Sequence, residues 1–160
     1  MQNVSNTLTM NIPAAKIWDI IADFQRVDRY HPLVESVDQI GQKTNGLGAI
    51  RVCNFYDKTS IKEEVTRWVE GQSLSVKLTE GNFPFKSANA VFGVKPSGSD
   101  SCVVSLKMEF DMKYGIFGKL MAAVMIKPMM KKLFAKVMHS LQDHASSGQL
   151  VGKGGVLIAA

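Results

Sequence analysis

The sequence has few of the residues that mark a disulfide framework, a metal site or a membrane span. Its 160 residues include only two cysteines, Cys53 and Cys102, and neither has a partner at a metal-binding spacing. No apolar run approaches the roughly 18 residues that a membrane span needs, and the first residues lack the basic and apolar blocks of a secretory signal. We therefore expect two free, buried thiols in a protein of the reducing cytoplasm, and no metal ion.

Charged residues are also a minority, at 21% of the chain against 46% hydrophobic residues. This balance and this length are typical of one folded globular domain. The net charge of +5 comes largely from lysines near the C-terminal end, and no aromatic-interleaved basic strip accompanies them, so no nucleic-acid partner is expected. The lysines fit a solvated helix face, and contact with an anionic membrane is the alternative interpretation.

The longest helix-forming stretch covers residues 114–146 and is interrupted by Pro128. A proline cannot donate to the preceding turn, so we expect a kink or break there, between a short helical lead-in and a main helix at about residues 127–144. The main helix has one apolar stripe, formed by Ile126, Met130, Leu133, Phe134, Val137 and Leu141, with Lys131, Lys132, Lys136 and His139 opposite it.

The lead-in has an apolar face of its own, rotated well away from the later stripe. Five methionines follow through the same region, and such flexible side chains suit either ordinary core packing or an adaptable binding surface. The lead-in face consists of Phe117, Leu120, Met121 and Val124, and the methionines are Met121, Met125, Met129, Met130 and Met138.

Upstream of this stretch the apolar residues mostly alternate with a period of two, which predicts strands. Pro13 begins a helix that includes Ile17 and Trp18, and residues 28–32 form a second short helix or turn that Pro32 closes. Short turns between the later strands favour an antiparallel arrangement. The predicted strands cover residues 4–12, 34–40, 49–56, 61–69, 74–78, 88–94 and 102–112.

This order predicts an α+β domain at residues 1–147, in which a curved antiparallel seven-stranded sheet wraps around the long C-terminal helix, with two short helices after the first strand. Residues 148–160 are glycine-rich and are predicted to form a flexible tail. One helix fills only part of a concave sheet, so we expect an apolar cavity with a few polar groups.

Three stretches have residue patterns in common with one known superfamily. The first stretch contains Pro13, Ile17-Trp18, Asp23-Phe24 and His31-Pro32. In the second, Arg51 lies in a hairpin and Glu63 in the strand that follows it. The third is the loop at residues 81–85. Together they resemble the START-like, helix-grip superfamily (SRPBCC), and within it the bacterial polyketide cyclase/dehydrase and lipid-transport family.

The resemblance implies a helix-grip fold and a loop at residues 81–85 that acts as a gate over a ligand cavity. Two residues depart from the family pattern: Lys58 stands where a glycine is common, and Phe83 precedes the gate proline where receptors often have leucine. The chain contains no coenzyme or nucleotide motif, so we expect no cofactor.

Glu63 is the polar residue with the strongest claim to a role, because strand alternation places it with Ile61 and Val65. Inside an apolar cavity its carboxyl would favour the protonated form and serve as an acid, a base or a ligand anchor. Alternatively, Arg67 or Arg51 neutralises it as a structural ion pair.

His31 is the second candidate, because it lies near the expected cavity mouth. It would titrate near neutral pH and donate to a ligand carbonyl, or it would simply cap a helix end. His139 and His144 are predicted to be solvated, and neither cysteine has an activating partner. Tyr30, Tyr56 and Tyr114 are further hydroxyl donors that the spacing does not place.

The leading hypothesis is binding or transport of a small hydrophobic ligand, such as a lipid, a polyketide-like aromatic or an isoprenoid. The alternative is a cofactor-independent polyketide cyclase or dehydratase that uses Glu63 as its acid or base. A third interpretation is an interaction module with a basic helix face, and the oligomeric state stays open. The predicted ligand-binding residues are His31, Arg51, Glu63, Phe83, Pro84, Phe85, Leu106, Met108, Met130 and Phe134.

Overall fold

One antiparallel sheet of seven strands forms the frame of the protein, and the computed structural model describes residues 1–159 of it. The strands are β1 (Gln2–Met10), β2 (Val34–Ile40), β3 (Ile50–Phe55), β4 (Ser60–Val69), β5 (Ser73–Gly81), β6 (Phe85–Pro96) and β7 (Cys102–Met112). Their order across the sheet is β1-β7-β6-β5-β4-β3-β2. Strands β2 to β7 form a meander, and β1 closes the far edge by pairing with β7.

The helical segments lie at two places in the chain, between β1 and β2 and after β7. Between β1 and β2 lie a helix, α1 (Ala14–Ala22), and a 3-10 helix (Phe24–Arg29). After β7 come α2 (Gly115–Met121), a π-helical turn (Ala122–Ile126) and the long helix α3 (Lys127–Ser147). This arrangement is the α+β helix-grip fold that the sequence predicted.

The alternation of β7 shows how the residues determine the packing. Cys102, Val104, Leu106, Met108 and Phe110 are all buried, whereas the residues between them are less so. Strand side chains alternate between faces, so this face of β7 contributes to the core. The predicted bounds of β2 and β7 are confirmed, and β6 is longer than the predicted 88–94.

Helix α3 places its predicted apolar stripe against the sheet. Phe134, Val137 and Leu141 are buried and Leu133 is partly buried, while the lysines of the opposite face are exposed. The helix does not break at Pro128: the run from α2 through α3 is continuous, with a π-helical turn directly before α3 and Pro128 in the first turn of α3. In the π-helical turn the backbone N–H of Lys127 donates to the carbonyl oxygen of Ala122, five residues earlier. The next residue, Pro128, has no N–H to donate, so the change of hydrogen-bonding pattern falls where the proline interrupts the α-helical one.

Two local predictions need correction. The second short helix lies at Phe24–Arg29 rather than at residues 28–32, because Phe24 and Val27 anchor it in the core. The residues after α3 form a small hairpin of β8 (Leu150–Val151) and β9 (Leu157–Ile158), in which Val151 is buried. The flexibility predicted for residues 148–160 stays a prediction. No helix within residues 1–159 has the length and apolar character needed to span a bilayer.

The two tryptophans of the chain join α1 to the end of β4 through one carboxylate. Trp18 Nε1 donates to Glu70 Oε1 at 2.8 Å, and Trp68 Nε1 donates to Glu70 Oε2 at 2.7 Å. The indole rings pack edge to face with centroids 5.3 Å apart. The two hydrogen bonds favour the ionised carboxylate and lower the pKa of Glu70 from its ordinary value of 4.5.

We predict that Glu70→Ala lowers the unfolding midpoint and changes the tryptophan emission, because both indole N–H groups lose their acceptor. The lowered pKa of Glu70 contributes stability that is present above pH 4.5 and is lost as the pH falls through the folded-state value. Urea unfolding from pH 7 to pH 3, followed by fluorescence, measures this. Asp19→Asn removes an exposed carboxylate beside Trp18 and is the control; equal pH profiles for both variants would contradict the assignment.

Candidate ligand-binding site

A cavity of about 200 Å³ lies between the concave face of the sheet and α3. Sixteen of its nineteen lining residues are apolar, and the three polar ones are His31, Arg51 and Glu63. Eight of the ten predicted ligand-binding residues line it: these three together with Phe85, Leu106, Met108, Met130 and Phe134. The structure therefore brings most of the predicted residues together, and their role in binding stays a prediction.

Phe83 and Pro84 do not line the cavity. The Phe83 ring packs on Phe85, with centroids 5.5 Å apart, and Phe85 in turn packs on Phe110 at 4.9 Å. Close packing of this kind extends to Gly81, where an added Cβ would lie 2.3 Å from the Phe83 ring. The loop at residues 81–85 is thus seated on the core beside the cavity, and only Phe85 reaches the cavity wall.

Eleven lining residues were missing from the predicted set. Their signal was present in the strand alternation, because Leu74, Val76 and Leu78 share one face of β5 and all three line the cavity. The remaining eight are Val27, Leu33, Phe55, Ile61, Ala90, Phe92, Leu133 and Val137. Sequence patterns identify such a face as inward, but they do not separate residues that touch a cavity from residues that fill the core.

Arg51 is the centre of the polar cluster. It lies directly opposite Glu63 in the β3–β4 pairing, and its Nε and Nη2 donate to Glu63 Oε2 at 2.7 and 2.6 Å. Its Nη1 donates to the carbonyl oxygen of Phe24, and its guanidinium carbon lies 3.9 Å from the centre of the Phe24 ring. Burial lowers the pKa of Arg51, but the charge of Glu63, the neighbouring Cys53 and Tyr30 and the hydrogen bond to Glu63 together raise it by more, so the net pKa is raised and the guanidinium stays charged.

The structural ion pair that was the alternative interpretation of Glu63 therefore occurs, with Arg51 as the partner. Arg67 is exposed, because bulges in the β4–β5 pairing move it off the inward face. The Arg51–Glu63 pair takes up only Oε2 of the carboxylate; Oε1 forms no hydrogen bond within residues 1–159. The Cys53 thiol also lies 3.8 Å from Oε2, and burial raises its pKa to about 12, so it is not a nucleophile at neutral pH.

His31 supplies a neutral donor. Its Nδ1 accepts the backbone N–H of Leu33 at 3.1 Å, so the ring proton lies on Nε2. Burial and then the positive charge of Arg51 lower the pKa of His31 to about 3. The expected titration near neutral pH is therefore wrong: at pH 7 the ring is an uncharged imidazole on the cavity wall.

The other polar candidates lie away from the cavity. Tyr30 is buried in the core, and burial raises its pKa. Tyr56 borders a separate surface depression, and Tyr114 is exposed. His139 is exposed as predicted, but His144 is partly buried and its Nδ1 lies 2.7 Å from the carbonyl oxygen of Gln149. Cys53 and Cys102 are free and buried, as predicted.

We predict that Glu63→Gln lowers the free energy of unfolding by about 3–5 kcal/mol, because it leaves the buried charge of Arg51 without a counter-charge. The double variant Arg51→Met, Glu63→Leu removes both charges and should lose less. Urea unfolding at pH 7 gives both values. A double variant that is less stable than Glu63→Gln would contradict this prediction. It would show that the attraction between the two charges exceeds the cost of burying them.

The pKa of His31 predicts a second stability effect. A histidine whose folded-state pKa lies below its unfolded value of 6.5 contributes stability that is present above pH 6.5 and is lost as the pH falls toward 3. The slope should approach about 1.4 kcal/mol per pH unit. His31→Gln should flatten the profile between pH 6.5 and 5, whereas His139→Gln, which replaces an exposed histidine, should leave it unchanged. Parallel profiles for the parent and His31→Gln would contradict the assignment.

Comparison with known proteins places this fold and site in context. No curated protein matches the sequence. Among solved structures, a Thermobifida fusca protein is 23% identical, with a TM-score of 0.72 and coverage of 91% of this chain and 94% of that one. Major latex-like protein 151 from Panax ginseng is 14% identical, with a TM-score of 0.75 and coverage of 90% and 97%.

A third structure has bound small molecules. Norcoclaurine synthase from Thalictrum flavum, in complex with dopamine and hydroxybenzaldehyde, is 18% identical, with a TM-score of 0.65 and coverage of 89% and 84%. At these identities the solved structures support the fold alone. The sequence itself matches the family described as polyketide cyclase/dehydrase and lipid transport over residues 1–146. The chain therefore belongs to the polyketide cyclase/dehydrase and lipid-transport family.

Proposed function

We propose that this protein binds a compact hydrophobic molecule that carries one polar group. The observation that supports this most directly is the cavity itself, with sixteen apolar lining residues and three polar ones. Burial of the apolar body in such a cavity supplies affinity, at about 25 cal/mol per Å² of surface removed from water. Membership of the family is consistent with a ligand of this class.

The polar residues indicate what the polar group of the ligand is. Glu63 Oε1 is an acceptor without a partner in residues 1–159, and His31 Nε2–H is a neutral donor on the same cavity wall. A hydroxyl or phenol satisfies both, because it can donate to the carboxylate and accept from the imidazole. A carboxylate ligand fits less well, since it would meet the charge of Glu63.

The size of the cavity restricts the ligand further. Its volume of about 200 Å³ is below the 300–1,000 Å³ of typical ligand pockets and slightly above a roughly 150 Å³ cavity that holds benzene. One or two aromatic rings fit without rearrangement, whereas a long acyl chain requires the wall to move. Among the predicted ligand classes, a phenolic, polyketide-like aromatic therefore fits best. The aromatic molecules bound by norcoclaurine synthase show that a related fold accepts ligands of this size.

Catalysis by Glu63 is the second candidate, because this carboxylate lines a cavity whose other walls are mostly apolar. A general base works best when its pKa approaches the working pH. Arg51 Nε and Nη2 both donate to Oε2, at 2.7 and 2.6 Å, so the ion pair already occupies one of the two carboxylate oxygens. This geometry supports binding more than proton transfer.

We predict that 2-naphthol binds more tightly than naphthalene or palmitate, because it matches both the volume and the polar pair. Ala90→Phe places a ring in the cavity and should weaken 2-naphthol binding at least about tenfold, which corresponds to 1.4 kcal/mol. Isothermal titration calorimetry measures each affinity.

Ala15→Phe adds the same ring at an exposed position of α1 and is the matched control. Equal affinity in the parent and Ala90→Phe would place the ligand outside this cavity. Mass spectrometry of the same samples with cyclisable polyketones tests the second candidate: product formation that Glu63→Gln abolishes, with binding retained, would favour an enzyme.

A further inference from the structure

The apolar face that precedes α3 is not covered by the rest of the protein. Among residues 1–159, fifteen large hydrophobic side chains are exposed, and seven of them lie within sixteen consecutive residues. These seven are between 56% and 83% exposed. They form what is called here the docking surface: Tyr114, Ile116, Phe117, Leu120, Val124, Met125 and Met129.

The local backbone holds these side chains outward. Gly118 lies so close to the end of β7 that an added Cβ would be 2.0 Å from the carbonyl oxygen of Lys113. Ala122 and Ile126 are buried on the inner side of the π-helical turn. The inner side of this segment is therefore fully used in the fold, and the outer side has no internal partner. An exposed apolar cluster of this density is typical of an interaction site.

The charged residues within the stretch that carries the docking surface are of one sign. Residues 112–142 contain no aspartate or glutamate. None of the lysines in this range forms an ion pair with a carboxylate of residues 1–159, in contrast to Lys58, Lys62 and Lys107 elsewhere. The six lysines are Lys113, Lys119, Lys127, Lys131, Lys132 and Lys136.

We infer that the docking surface binds peripherally to an anionic lipid bilayer, with the apolar side chains in the interface and the lysines at the phospholipid headgroups. Helical segments with an exposed apolar face and nearby lysines bind bilayers in this way. A second copy of the chain is a poorer occupant, because a two-fold contact would bring both sets of six lysines together with no acidic residue from the same stretch. An aromatic residue such as Tyr114 also suits the interface, since its ring is apolar and its hydroxyl is polar.

Bilayer binding would bring the cavity close to the lipid. Met130, Leu133 and Phe134 line the cavity from α3, and Met129 at the start of the same helix belongs to the docking surface. The loop at residues 81–85 is tied to this region, because Lys113 N–H donates to the carbonyl oxygen of Pro84 at 2.9 Å. The inference does not depend on the identity of the ligand, since the docking surface and the cavity use different residues.

Vesicle flotation tests the inference with the 160-residue chain. We expect binding to vesicles of phosphatidylcholine mixed with phosphatidylserine, little binding to phosphatidylcholine alone, and release by added salt. Ile116→Ser with Phe117→Ser should abolish binding, and both residues are 83% exposed, so the fold should tolerate the change. Replacement of Lys127, Lys131 and Lys132 by glutamine should weaken binding by roughly a hundredfold.

Two control variants match these changes in chemistry. Lys77, Lys86 and Lys95 are exposed lysines on the sheet, and their replacement by glutamine makes the same charge change elsewhere. Leu47→Ser with Val156→Ser removes two exposed apolar side chains outside the docking surface. The inference is overturned if the parent binds no better to vesicles with phosphatidylserine than to vesicles without it. It is also overturned if the docking-surface variants bind as well as the control variants. If the parent is dimeric in analytical ultracentrifugation, and the variant with Ile116→Ser and Phe117→Ser is monomeric while the controls are not, the occupant is instead a second copy of the chain.

Discussion

A single helix covers the concave face of a seven-stranded sheet, and this mismatch in width determines most of the structure. Six strand spacings of about 4.8 Å make a sheet roughly 29 Å across before it curves, whereas a helix with its side chains is about 10–12 Å wide. Curvature brings the edges of the sheet toward α3 but does not close the gap. The space that remains is the cavity between α3 and strands β3 to β7.

An apolar cavity of this kind restricts the polar groups that its wall can hold. A buried guanidinium is tolerated only where partners replace its hydration, and Arg51 has them in the Glu63 carboxylate, the Phe24 carbonyl and the Phe24 ring. The same contacts tie the 3-10 helix to β3 and β4. The shape of the cavity wall and the position of the 3-10 helix are thus coupled through one side chain, so a change at Arg51 acts on stability as well as on the cavity.

Patterns along the chain determined the fold more fully than the site. The alternation in β7 and the stripe on α3 each report burial by one periodic face, and such faces are local properties of the sequence. Contacts between distant residues are not local. In the sequence, Arg51 and Arg67 are equivalent candidate partners for Glu63. In the structure, the bulge between Val65 and Arg67 in the β4–β5 pairing turns Arg67 outward, and this bulge has no clear signal in the sequence. The burial that keeps His31 neutral likewise comes from the assembled cavity wall rather than from its neighbours in sequence.

One continuous helical run serves two surfaces. In an α-helix each residue advances about 100° around the axis, so the apolar residues before Ala122 and the stripe after Ile126 already lie on different sides of the helix. The π-helical turn between them adds a residue to one turn and changes the angle between the two faces. The stripe after Ala122–Ile126 faces the sheet, while Phe117 and Leu120 before it stay outside. Pro128 stabilises this arrangement, because its missing N–H removes the hydrogen bond that an uninterrupted α-helix would need there. The exposure of the rotated lead-in face therefore follows from the pattern of apolar residues itself, and it is a built feature of the fold rather than a defect in packing.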